Sequence, residues 1–158
     1  MPAAQHRFRL QAAALLLACA CHMGAALAQS PFGRVPPPQR KQPPEASLAF
    51  SDSEYRSDAA RHLYATYPDR VLKGKVPAYV YAVLITETEV DASGKVLNVR
   101  VLREPAEADE VTPWVVELIR QASPLPPLLH RRGARYVEIW LVDESGRFQV
   151  DTLTEGQR

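Results

Sequence analysis

The 158-residue sequence predicts an α+β domain: two layers, with a three- to four-stranded antiparallel sheet and two helices on one of its faces. Three observations predict it. Tyr79–Glu104 holds two runs rich in Val, Leu, Ile and Thr on either side of Asp91-Ala92-Ser93-Gly94-Lys95, the pattern of a β-hairpin with a glycine at its reversal. Two segments, one before and one after this hairpin, carry apolar residues at helical spacing. The hairpin turn is echoed at Val142-Asp143-Glu144-Ser145-Gly146-Arg147-Phe148, which marks a second antiparallel reversal in the same sheet.

Taken in order, Met1–Ala28 reads as a targeting segment. His6, Arg7 and Arg9 precede the Ala- and Leu-rich stretch Leu10–Cys21, and Ala26-Leu27-Ala28 before Gln29 has the small-x-small pattern of a signal-peptidase site. Two other fates stay open. Leu16-Leu17-Ala18-Cys19 resembles a lipobox that would lipidate Cys19, and Leu10–Ala28 has about the minimum length for a retained anchor, with His22 as an ionisable group inside it. Residues 29–50 are then expected as a Pro-rich spacer, with Pro31, Pro36, Pro37, Pro38, Pro43 and Pro44 favouring extended polyproline with a reach on the order of 60 Å. The folded domain is placed at 51–154, and 155–158 as a polar tail.

Asp52–Tyr67 is the first predicted helix. Ser51 or Ser53 caps it, and Tyr55, Ala59, Leu63 and Tyr67 form its apolar stripe. His62 falls outside that stripe and is expected in solvent. Pro68 stops the helix, and Pro77 holds Val76 extended at the entry to the hairpin. In the hairpin Leu84, Thr86, Thr88 and Val90 share one face, and Glu87 and Glu89 the other. Thr112-Pro113 signals the cap of the second helix, with Trp114, Val115, Leu118, Ile119 and Ala122 following at helical spacing. Leu128–Ala134 is expected as a loop with Gly133 at its tip, where Arg131, Arg132 and Arg135 make a candidate basic patch. Tyr136–Val142 alternates as a strand, and Phe148–Leu153 is a short last strand.

The composition excludes several classes. Setting aside Arg7 and Arg9 leaves the 18 acidic residues one in excess, so no nucleic-acid footprint follows. Cys19 and Cys21 both precede residue 29, so the domain has neither a disulfide framework nor a thiolate metal site. Only His62 and His130 lie within it, and there is no G-x-S-x-G and no phosphate cradle. Glu87 and Glu89 read as a solvated strand face rather than an acid/base pair. A non-enzyme without cofactor or metal is expected.

Tyr67-Pro68, the hairpin Thr88–Leu102, and Ala122-Ser123-Pro124-Leu125-Pro126-Pro127 after the second helix resemble the C-terminal domain of the TonB/TolA energy-transducer superfamily, over about Asp58–Leu153. The resemblance implies a domain in the periplasm of a Gram-negative bacterium that binds another envelope protein, or an extended peptide, by adding a strand to its sheet edge. It assigns the receiving edge to the third strand, with Tyr136, Glu138, Trp140 and Val142; in this chain Asp143–Arg147 turns back, and the short strand Phe148–Leu153 is expected as a displaceable cover over that edge. A second copy of the chain is a further candidate partner. Membrane contact is expected only if the N-terminus is retained or Cys19 is lipidated; the corresponding alternatives are a membrane-anchored transducer and a structural envelope lipoprotein.

Overall fold

The computed structural model describes residues 33–154. The targeting segment, with Cys19, His22, Ala28 and Gln29, and the tail 155–158 lie outside the described residues. The elements are α1 (Asp52–Thr66), a 3₁₀ turn (Pro68–Arg70), β1 (Ala82–Asp91), β2 (Val96–Arg103), α2 (Val111–Gln121), β3 (Gly133–Val142), β4 (Phe148–Val150) and a closing 3₁₀ turn (Asp151–Leu153). The four strands form one antiparallel sheet in the order β2-β1-β3-β4. Its inner face, with Leu84, Val99 and Trp140, shares one apolar core with Ala60 and Leu63 of α1 and with Val115, Leu118 and Ile119 of α2. The predicted α+β architecture is therefore the one observed.

Local chemistry sets each boundary. The Ser51 hydroxyl accepts from the Glu54 N–H while the Glu54 carboxylate accepts from the Ser51 N–H, a reciprocal capping box that starts α1. Tyr55, Ala59, Leu63 and Tyr67 are all buried, as their spacing requires. Two of them also tie this segment to α2 and to the chain after it: Tyr67 Oη donates to the Leu118 carbonyl at 2.9 Å and Tyr55 Oη to the Pro126 carbonyl at 2.9 Å. α2 begins at Val111, one residue before the cap expected at Thr112; the Val111 N–H bonds the Ala108 carbonyl, so the preceding turn supplies the start that the threonine was expected to give. β3 begins at Gly133, which pairs with Asp91 rather than standing at a loop tip.

The two reversals are built alike. In each an aspartate Oδ1 accepts from the N–H of the residue two on, from the same serine's hydroxyl, and from the N–H four on: Asp91 with Ser93 and Lys95, Asp143 with Ser145 and Arg147. These bonds favour the carboxylate form and hold both aspartates below the usual range; for Asp143 they outweigh the opposing effect of burial. Gly94 has φ +82, and a Cβ there would overlap the Leu125 carbonyl oxygen.

Residues 33–50 are not a free spacer. Val35 and Ala49 are buried, the Gln39 N–H bonds the Thr66 carbonyl, and beside Leu128 the Ser47 N–H bonds the Pro127 carbonyl while the Ser47 carbonyl accepts the Leu129 N–H. The proline-rich stretch is a strap laid along α1 and the segment after α2. Prolines exclude it from a helix or a central strand, yet leave the intervening N–H groups free to bond the domain. Among the described residues no helix is long and apolar enough to cross a membrane.

Candidate functional site

An antiparallel sheet of this order has two ends, and their chemistry differs. At the β4 end, β3 is paired along its whole length with β1, and Trp140–Val142 also pair with β4. Two of the outward amides of the remaining edge are capped by side chains. Asp52 Oδ1 accepts the Arg135 N–H at 3.2 Å, and Glu138 Oε1 accepts the Ile139 N–H at 3.0 Å. Glu138 is buried and also receives Arg56 Nη2 at 2.7 Å, which fastens α1 over this part of the strand.

The structure places the four positions assigned to partner recognition on the inner face of the sheet. Tyr136, Glu138, Trp140 and Val142 all face the helices and are at most 4 % exposed. Tyr136 packs edge-on against Tyr55, with its hydroxyl bonded to Thr88, and burial pushes its pKa up. Trp140 Nε1 donates to Thr86 Oγ1 at 3.0 Å. These side chains hold the two layers together and offer nothing to an incoming strand.

β4 is likewise no cheap cover. Phe148 and Val150 are wholly buried, and Phe148 packs against Trp140 and Tyr64. The Phe148 carbonyl accepts the Leu72 N–H, the Val150 N–H donates to Tyr64 Oη, and Gln149 Nε2 reaches the Leu72 carbonyl.

The opposite end is open. β2 is the terminal strand, and among the described residues the backbone of Leu97–Arg103 makes hydrogen bonds only with β1. At its start the Val96 N–H is taken by Ser123 Oγ at 3.1 Å. Two register shifts leave Leu97 and Leu102 opposite no β1 residue, and both are large exposed apolar groups. Between them Asn98–Val101 runs regularly, with Val99 on the core face and Arg100 on the open face, where Arg100 Nη2 bonds Glu87 Oε1 at 3.0 Å. Nothing in the sequence names β2 as the end strand. A hairpin fixes which strands are neighbours, not on which side the third strand joins.

The candidate basic patch is largely neutralised. Arg131 pairs with Asp52 at 2.7 Å and Arg135 with Glu89 at 3.3 Å, whereas Arg132 is exposed. His62 is not in solvent: it is 4 % exposed, at the wall of a cavity of about 430 Å³ between α1 and the strap. Its Nε2 meets the Ala122 carbonyl at 2.8 Å and its Nδ1 meets Arg40 Nη1 at 3.0 Å. A carbonyl only accepts and a guanidinium only donates, so the ring is a neutral Nε2–H tautomer. Position 62 follows Ala59 by three and Tyr55 by seven, which places it on the buried stripe; counting histidine as polar hid that signal. Among the described residues no three His, Cys, Asp or Glu side chains gather as metal ligands. Comparison of the chain with protein-family models, with curated proteins and with solved structures gives no match.

Proposed function

We propose that this chain is a non-enzymatic binding module of the bacterial envelope, exported to the periplasm, whose partner adds an extended strand to the sheet at β2. The unpaired outer edge of Leu97–Arg103 carries the reading. A row of unsatisfied main-chain donors and acceptors is a template for one more strand. The resemblance to TonB/TolA C-terminal domains supports the mode of binding. The burial of Tyr136, Glu138, Trp140 and Val142, together with the caps on β3, argues for β2 over β3 as its place.

The strap bears on the transducer alternative. A spacer pinned at Val35, Gln39, Arg40 and Ser47 gives none of the reach that a free polyproline segment would give. The reading is therefore a short-range binding module. Its test is a nine-residue peptide selected from a random library against the purified full-length chain, then resynthesised with N-methyl groups on one or the other alternate set of amides. Strand addition predicts that one methylated set abolishes binding and the other leaves it intact. Retention of binding by both would mean a side-chain groove and would refute the reading.

A further inference from the structure

The charge and pleat of β2 specify the chemistry of the strand it takes, an inference that rests on the reading just given. Val96–Arg103 contains two arginines and no carboxylate. Its pairing with β1 places them. Arg100 stands opposite Glu87 and Arg103 opposite Ile85, both on the face of the sheet that the helices leave uncovered. Arg100 and Arg103 are exposed. Glu87 bonds Arg100 at 3.0 Å and lies 4.0 Å from Arg135, its diagonal neighbour on β3, so charge alternates across β3, β1 and β2 on the open face and the outermost member is a cation. On the other face Val99 is buried and Val101 half-buried beside the core under α2. A strand added at β2 places successive side chains alternately against these two rows.

We infer that the partner is an acidic, alternating extended segment, with Asp or Glu at the positions that face the open side beside Arg100 and Arg103 and β-branched apolar residues at the positions between. Opposite charges directly across a strand pair attract and like charges repel. The apolar positions extend the contact that Val99 and Val101 begin, and the exposed Leu97 and Leu102 bracket the site as apolar anchors. The same charges disfavour a second copy as occupant, since another β2 brings Arg100 and Arg103 again and no carboxylate to meet them.

The test uses three synthetic nine-residue peptides with Val or Thr at the odd positions and Glu, Gln or Lys at the even ones. Each is titrated into the full-length chain at low and at raised salt, with amide exchange locating the site. The glutamate peptide is expected to bind at least tenfold more tightly than the lysine peptide at low salt, with the gap narrowing as salt screens it. Arg100→Gln with Arg103→Gln is expected to remove most of that gap; Arg103→Gln alone, which leaves the Glu87 pair intact, gives a partial loss should the double variant fold poorly. Equal binding of all three peptides at β2 would overturn the acidic-partner inference and leave strand addition standing. Binding of none of them at β2 would overturn both.

Discussion

A histidine that donates through Nε2 and accepts through Nδ1 has no room for a second proton. His62 is in that position between the Ala122 carbonyl and Arg40. Burial pushes its pKa below the usual value of 6.5; the bond to the Ala122 carbonyl opposes this, and the Arg40 charge adds to it. Glu45, Asp58 and Arg61 line the same cavity, and Arg61 pairs with Asp58. The folded state thus binds fewer protons than the unfolded state, and stability falls as pH drops through the ordinary histidine range toward the depressed native value. Protonation also removes the acceptor that holds Arg40, whose other donors reach the Gln42 and Pro43 carbonyls of the strap. The expected outcome is that thermal melts from pH 8 to pH 5 show an acid-side loss that His62→Gln largely removes, because glutamine donates and accepts without titrating. An unchanged pH profile in that variant would assign the loss elsewhere. Asp91 and Asp143 add a loss of the same sign at lower pH, as their turn-forming carboxylates protonate.

At the scale of elements, β4 is three residues long and yet structural. Phe148 sits between Trp140 and Tyr64 with no exposed surface. Phe148→Ala is expected to cost about 3–5 kcal/mol in a denaturant melt, and removal of Arg147–Arg158 to abolish the cooperative transition. A folded, cooperative truncation would restore β4 as a cover. In α2, Leu118 is wholly buried, and Leu118→Ala is expected to cost about 2–5 kcal/mol; a cost near zero would mean that α2 packs through another face. The periodicity that predicted these helices and strands was strong because one face of each is apolar: Leu84, Thr86, Thr88 and Val90 are buried, as their alternation implied. The threonines belong there for a reason that pattern alone does not give, since Thr86 receives the Trp140 N–H and Thr88 bonds the Tyr136 hydroxyl. Length was a poor guide for β4. A short segment is cheap to displace only when its side chains are exposed.

For the molecule as a whole, the layer architecture was legible in the sequence and the strand that ends the sheet was not. Periodicity reports which face of an element is buried, so α1, the hairpin and β3 followed from it. Which strand ends the sheet depends on long-range pairing, and neither the β1–β3 register nor the caps from Asp52 and Glu138 leave a local signature. The strap was missed because its prolines forbid regular structure without forbidding contact, as the Gln39 and Ser47 bonds show. These features converge on one asymmetry: the outer edge of β3 is partly covered by β4 and by the Asp52 and Glu138 caps, whereas the outer edge of Leu97–Arg103 in β2 has no such cover among the described residues. Amide hydrogen exchange on the full-length chain, free and with a bound extended peptide, tests it most directly. In the free chain the outward amides of Leu97–Arg103 are predicted to exchange fast and those of Arg135 and Ile139 slowly, and the peptide is predicted to slow exchange at β2 alone. Peptide-induced protection along Gly133–Ile139, with β2 unchanged, would contradict the account.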